Sequence, residues 1–337
     1  MKKWQLALLL GAALLFGAQS GWAASKKAPE KTGKTIAKAP AKSSKTAAKS
    51  KAAAKPTVKA DAGKARLASA GKSVRKVAYT DFEPGRLALG SASAFVIDQS
   101  TGETLVDKSS SAVLPIASIS KLMTAMVVLD AQQDLQEVIS IGDEDVDALK
   151  GTRSRLAVGT TMTRETAMLL ALMSSDNRAA HTLGRHYPGG MPAFVAAMNQ
   201  KARDLGMYQT RFEEPTGLSS NNVSTARDLV KMVAAAANYL EIRHYSTTAS
   251  AQLEVNGRLL VFNNTNALVK SDNWEIGVSK TGFISEAGRC LVMQAKVASR
   301  PVIIVLLDSN GKMTRVGDAN RIKRWMESAG PTTDRRA

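Results

Sequence analysis

The sequence predicts an α+β fold: an antiparallel sheet built from both ends of the folded region, flanked by helices, with an all-helical lobe inserted between. Three observations carry this. Strand-like segments lie near residue 91 and again beyond residue 250, while the pattern from about Asp143 to Tyr245 is mainly helical. Val302-Ile303-Ile304-Val305-Leu306-Leu307 is apolar at every position, which suits a central strand covered on both faces. Val316, Ala319, Ile322 and Met326 recur at helical spacing within Thr314 to Ser328, an apolar stripe facing a core.

The chain opens on Met1-Lys2-Lys3, runs through an apolar stretch from Leu6 to Phe16 and reaches small residues at Gly21-Trp22-Ala23-Ala24. This pattern predicts a secretory signal peptide over residues 1–23, cleaved after Ala23, with no membrane anchor left behind. Export places the mature protein in an oxidising compartment, the periplasm, yet Cys290 is the only cysteine, so no disulfide can form within the chain. Residues 24–78 are mostly Lys, Ala, Ser and Thr and cannot bury enough surface to offset their ordering entropy, so a disordered basic linker is expected there.

Charge follows the same division. The full chain has 46 Lys+Arg against 29 Asp+Glu, net +17. Residues 1–76 hold 18 of the basic and 2 of the acidic side chains, leaving 28 and 27 for the rest. The high isoelectric point therefore describes the linker, whose expected roles are a solvated spacer or a contact to anionic envelope polymers. No nucleic acid is expected as a partner, because the linker lacks interleaved aromatic residues.

Residues 79–330 form the expected folded domain, followed by a polar tail, 331–337. Ser91 to Val96 and Glu103 to Asp107 read as a hairpin around the turn-rich Asp98 to Gly102. Pro115 precedes a helical run from Ser118 to about Gln132. Further helical runs are predicted at Arg164 to Met173, Asn177 to His186, Met191 to Leu205 and Thr225 to Tyr239. Strands are predicted at Ala251 to Val255, Leu259 to Asn263, Glu275 to Thr281, Arg289 to Val297 and Val302 to Asp308. A cleft should form where sheet meets helical lobe.

Three short motifs occur in one order: Ser118-Ile119-Ser120-Lys121, Ser175-Asp176-Asn177 and Lys280-Thr281-Gly282. Each alone is weak. Ser-x-x-Lys recurs at Ser69, Ser73 and Ser309, Ser-Asp-Asn at Ser271, and Lys-Thr-Gly at Lys31. The first set alone has the right contexts: a helix start, an inter-helix loop and a strand. On a helix, residues i and i+3 share a face, so the Lys121 amine can reach the Ser118 hydroxyl. A free lysine amine near pH 7 is costly, about 4 to 5 kcal/mol from its reference pKa, so the site must depress it by burial and a nearby cation, for which Lys280 is the candidate. Ser175 can donate and accept a proton in one step, Asn177 can hold substrate backbone or orient Lys121, and Lys280 with Thr281 can bind a carboxylate. Gly282 permits close backbone approach.

On these motifs, with Glu214-Pro215-Thr216-Gly217-Leu218, Ser224 to Leu229, Asn264-Thr265-Asn266 and Gly277 to Phe283, residues 85–328 resemble a low-molecular-mass penicillin-binding protein of the serine D-Ala-D-Ala peptidase family. The resemblance implies a β-lactamase/DD-peptidase-like fold. It implies Ser118 as acyl-ester nucleophile, Lys121 as proton acceptor, Ser175 as third catalytic residue and Lys280 as substrate binder. It also implies an oxyanion hole from the backbone N–H groups of Ser118 and Phe283, and Arg300 as a carboxylate contact. Only 55 residues follow Gly282, with no room for a further β-rich domain and amphipathic anchor, so the chain most resembles the D-alanyl-D-alanine endopeptidase type. That type cleaves peptidoglycan crosslinks and is inhibited by β-lactams.

A carboxypeptidase acting on D-Ala-D-Ala termini is the first alternative. A β-lactamase is the second, with Glu214 as the residue that activates water, although Thr216-Gly217-Leu218-Ser219 lacks the expected Leu-Asn. His181, His186 and His244 adjoin no Gly-x-Ser-x-Gly elbow and form no His-Glu-x-x-His, so neither a Ser-His-Asp site nor zinc is expected. No cofactor or metal is called for.

Overall fold

The apolar run near the C-terminus is the middle strand of a five-stranded sheet in the computed structural model, which describes residues 87–328. The signal peptide, the linker and the polar tail lie outside the described residues.

In chain order the elements are β1 (Ser91–Asp98), β2 (Thr104–Lys108), β3 (Leu114–Pro115), a 3-10 turn (Ala117–Ile119), α1 (Ser120–Asp130), β4 (Val138–Ser140) and β5 (Thr161–Thr163). Then come α2 (Arg164–Met173), α3 (Asn177–Arg185), α4 (Gly190–Asp204), β6 (Val223–Ser224), α5 (Ala226–Ala236) and α6 (Leu240–Thr247). The chain ends with β7 (Ser250–Val255), β8 (Arg258–Asn263), β9 (Glu275–Ile284), β10 (Gly288–Val297), β11 (Arg300–Ser309) and α7 (Thr314–Ser328).

The main sheet runs β2-β1-β11-β10-β9, antiparallel throughout, so both ends of the folded region contribute strands as expected. Along β11 the side chains alternate between two cores. Ile303, Val305 and Leu307 face the helical lobe, whereas Val302, Ile304 and Leu306 meet Ala319, Ile322 and Met326 of α7. The uniform apolarity of this strand thus reflects helices on both sides. Helix α1 is buried from Ser120 to Val128, which makes it the axis around which the lobe packs.

Local chemistry sets the helix starts. The hydroxyls of Thr163 and Thr225 accept from the N–H groups of Thr166 and Asp228, and the Asp176 carboxylate accepts from Ala179 N–H, so α2, α5 and α3 each begin on a capped turn.

Some elements depart from expectation. The helical run predicted to reach Tyr239 stops at Ala236 and α6 begins at Leu240, with Ala237 to Tyr239 forming a turn. Strands β7 and β8 pair only with each other and stay outside the main sheet. The two- and three-residue pairs β3–β6 and β4–β5 are too short to show a period in sequence.

Strand β9 forms one edge of the main sheet and runs beside the 3-10 turn. A Cβ on Gly282 would lie 2.9 Å from Ile116 O and 3.0 Å from Ser118 N, so only glycine lets the strand come this close.

Candidate active site

Ser118 lies in the 3-10 turn, after Ala117 at φ +50°, a left-handed conformation that costs a residue with a Cβ about 1–3 kcal/mol. The Ser120 hydroxyl holds this turn by donating to Ala117 O at 2.9 Å. One helical turn further on, the fully buried Lys121 Nζ stands 2.9 Å from Ser118 Oγ, as the i, i+3 spacing predicts.

Two other groups touch that amine: Asn177 Oδ1 at 2.7 Å and the Thr216 carbonyl at 2.6 Å. Both are acceptors. A neutral lysine has two N–H bonds and one lone pair, so with both N–H bonds directed at these oxygens the lone pair is left facing the Ser118 hydroxyl. Burial lowers the Lys121 pKa to about 8, against the carboxylates of Glu214 and Asp176, which raise it. The free amine then costs only about 1.4 kcal/mol at pH 7.

The Thr216 carbonyl is set by its own loop. The Glu214 carboxylate accepts from the N–H groups of Thr216 at 2.6 Å, Gly217 at 2.6 Å and Ser219 at 3.3 Å, and from the Thr216 hydroxyl at 2.5 Å. Asn222, fully buried, donates to Glu214 O and to Ser120 Oγ, tying this loop to α1. Glu214 is therefore engaged as a loop organiser, which argues against the water-activating role of the β-lactamase alternative.

Ser175 occupies the turn between α2 and α3 at φ +60°, a second strained position beside reactive groups. Its hydroxyl bonds Lys280 Nζ at 2.8 Å rather than Lys121. Lys280 is fully buried and also donates to Thr281 O at 2.9 Å. Burial, the Lys121 charge and Arg315 together push its pKa well below the usual lysine value. The effect runs one way: the Lys121 charge eases deprotonation of Lys280, whereas Lys121 itself is lowered by burial and not by the cation of Lys280 that the sequence led us to expect. The Thr281 hydroxyl donates to Thr265 Oγ1 at 2.7 Å, and Asn266 donates to Ser279 Oγ, so Asn264-Thr265-Asn266 props the inner side of β9. Phe283 follows on β9 and is about half exposed at the rim.

The structure thus brings together Ser118, Lys121, Ser175, Asn177, Lys280, Thr281 and Gly282, with Phe283 alongside. It does not bring Arg300. That guanidinium pairs with Asp98 and Glu103, each at 2.5 Å, at the other end of β11. Val305, five residues along β11, is the residue that lies across Val292 from Lys280, so the expected carboxylate contact at Arg300 is corrected. The arginine behind Lys280-Thr281-Gly282 is Arg315, which donates to Gly282 O at 2.8 Å and Cys290 O at 3.1 Å. One signal in sequence pointed to it: a cation in the first turn of α7 opposes the helix dipole, so it needs a reason to be there. His181 bonds the buried Asp145 at 2.7 Å beside Arg185, a satisfied structural histidine.

A serine hydroxyl bonded to a buried lysine amine, set among the Ser-x-x-Lys helix, the Ser-Asp-Asn turn and the Lys-Thr-Gly strand, is the geometry of a lysine-dependent serine acyl-transfer enzyme. The family model for peptidase S11, described as D-alanyl-D-alanine carboxypeptidase, matches residues 80–311. The chain is 48% identical over 246 residues to a D-alanyl-D-alanine endopeptidase of Pseudomonas aeruginosa, covering 72% of this chain and 79% of that one. It is 47% identical over 242 residues to a D-alanyl-D-alanine endopeptidase of Escherichia coli, covering 71% and 78%. The crystal structure of the Streptomyces K15 DD-transpeptidase superposes with a TM-score of 0.67 at 27% identity, over 72% of this chain and 98% of that one. The chain belongs to the peptidase S11 family and is a serine DD-peptidase that acts on peptidoglycan.

Proposed function

We propose that this enzyme is an endopeptidase that hydrolyses the D-Ala to diamino-acid crosslink between peptidoglycan stems through an acyl-enzyme on Ser118. The carrying observation is the Lys121 amine, 2.9 Å from Ser118 Oγ with its N–H bonds committed to Asn177 and Thr216. Lys121 takes the Ser118 proton as Oγ attacks the D-Ala carbonyl, and the oxyanion is held by the N–H groups of Ser118 and Phe283. As the C–N bond breaks, the leaving amine takes a proton through Ser175, whose hydroxyl is 2.8 Å from Lys280. The proton held by Lys121 replaces the one Ser175 gave up, so the free Lys121 amine takes a proton from water as it attacks the ester carbonyl and returns it to Ser118 Oγ as the acyl C–O bond breaks.

Crosslink and D-Ala-D-Ala terminus share one feature: a carboxylate on the carbon bonded to the leaving nitrogen. Lys280 and Thr281 are placed to bind it, with the cation of Arg315 behind them. The negative charge of that carboxylate would favour the protonated form of Lys280 when substrate is bound. The edge of β9 offers backbone pairing to an extended peptide. A β-lactam would acylate Ser118 by the same route. The specificity for crosslinks rests on the identity to the two named endopeptidases. We assign the mature enzyme to the periplasm, after cleavage at Ala23, with the basic linker as a spacer or a tether to anionic envelope polymers.

The test uses purified mature protein with crosslinked dimeric muropeptides and, separately, monomeric pentapeptides, the products resolved by mass. Dimer cleavage should dominate. Release of free D-alanine from monomers alone would make the enzyme a carboxypeptidase instead.

A further inference from the structure

A strap of residues 147–156, outside every motif, grips the Ser175-Asp176-Asn177 turn twice and the next residue, Arg178, once. Asn177 Nδ2 donates to Thr152 Oγ1 at 2.9 Å, Ser154 Oγ donates to Asp176 Oδ2 at 2.7 Å, and Arg178 donates to Leu156 O at 2.6 Å. The strap also reaches two other walls: Lys150 pairs with Glu286 in the β9–β10 turn, and Arg155 donates to Val261 O on β8, each at 2.5 Å.

Hydrogen-bond polarity runs in one direction through this strap. The Asp147 carboxylate accepts from the N–H groups of Leu149 at 2.8 Å, Lys150 at 3.0 Å and Thr152 at 2.8 Å, and from the Thr152 hydroxyl at 2.6 Å. A carboxylate only accepts, so the single Thr152 hydroxyl proton points at Asp147. Thr152 Oγ1 is left as an acceptor toward Asn177. The Asn177 amide must then present its NH2 to Thr152 and its oxygen to Lys121, 2.7 Å away. With the opposite flip, an NH2 would face the lysine donors and a carbonyl oxygen would face a hydroxyl oxygen with no proton to give.

We propose that Asp147 and Thr152 are positioning residues for acylation: they lock the Asn177 amide so that its oxygen takes one Lys121 N–H and the lysine lone pair stays on Ser118. This rests on Lys121 being the base for Ser118. Neither residue touches the reacting atoms, and Thr152 is exposed, so its truncation should leave the fold intact.

The experiment measures the acylation rate by a fluorescent penicillin against pH for the full chain and for Thr152→Val, Thr152→Ser and Asp147→Asn, with melting temperatures in parallel. Thr152→Val should acylate roughly tenfold more slowly, the scale of one hydrogen bond, at an almost unchanged melting temperature. Its rising pH limb should move to lower pH, because an acceptor that favours charged Lys121 is no longer held in place. Thr152→Ser should restore rate and limb. Asp147→Asn should resemble Thr152→Val, because the new amide can donate to Thr152 and reverse the chain. A Thr152→Val enzyme with wild-type rate and limb overturns the proposal. So does a slowdown that serine fails to rescue, or one matched by a lower melting temperature with the limb unmoved. If Ser118→Ala is still labelled, or the wild type is not, the Ser118–Lys121 reading itself fails and takes this proposal with it.

Discussion

Gly217 presses directly on Ala117: a Cβ built on the glycine would stand 1.9 Å from the Ala117 carbonyl oxygen and 2.6 Å from the Ser118 nitrogen. The loop that offers the Thr216 carbonyl to Lys121 is thereby seated against the turn that carries the nucleophile. Gly217 also adopts φ +83°, which a side chain resists. Gly217→Ala should lower stability by about 2–4 kcal/mol and slow penicillin acylation more than a hundredfold. Thermal denaturation and acylation kinetics read the two effects, and a normally acylating Gly217→Ala enzyme would show that this contact is dispensable.

Lys121 sets the pH dependence. Its pKa is lowered to about 8 by burial, so the amine is a free base above that pH and protonated below it. Acylation by a β-lactam should therefore rise with pH, about tenfold per unit below pH 8, and level off above. Lys121→Arg should remove the limb and nearly all label, since a guanidinium stays protonated throughout. A flat profile between pH 6 and 8 would rule out Lys121 as the titrating base.

Glu214 separates loop organisation from water activation. Glu214→Gln keeps one acceptor oxygen and puts an NH2 against the donors on the other side, the N–H of Thr216 or those of Gly217 and Ser219, and should cost about 1–3 kcal/mol in stability. Because the Glu214 charge raises the Lys121 pKa, the rising limb should move to lower pH. Acylation should slow with the disturbed Thr216 carbonyl. Accumulation of an acyl-enzyme with an intact acylation rate would instead mark Glu214 as the deacylating base.

Arg300 belongs to the frame. Hydrogen bonds from Ser100, Arg300 and Thr101 outweigh the effect of burial and hold the Asp98 carboxyl well below the usual carboxylate range. A depressed carboxyl contributes stability present above its unfolded pKa near 4 and lost as pH falls further. Arg300→Ala should destabilise by about 1–2 kcal/mol at pH 7 and by nearly as much at pH 3, because the folded Asp98 carboxyl is still ionised there and the pair is lost only at lower pH. Its penicillin acylation should match the wild type; a tenfold loss there would return Arg300 to the substrate site.

Local signals made much of this legible. Periodicity located α2 to the residue and the start of α7, because both begin sharply: a Thr163 cap on one, the Asn310-Gly311 turn before the other. The apolar run of β11 announced a strand between two layers. The order and context of the three motifs placed seven residues that the fold then gathered. Motif and period could not choose between Arg300 and Arg315, both basic residues near β11: strand register takes Arg300 away from Lys280, and the bonds of Arg315 to Gly282 O and Cys290 O put that residue behind the strand.

By itself the sequence determined the fold class and the pairing of the Ser118 hydroxyl with the Lys121 amine, because period and i, i+3 spacing are local properties of a chain. Tertiary structure alone decided which oxygens receive the Lys121 protons, which arginine faces the Lys-Thr-Gly strand, and that Asp147 and Thr152 stand behind Asn177. Those relations join residues up to 95 positions apart, as Lys121 and Thr216 are, and their hydrogen-bond polarity exists only once the chain has closed on itself.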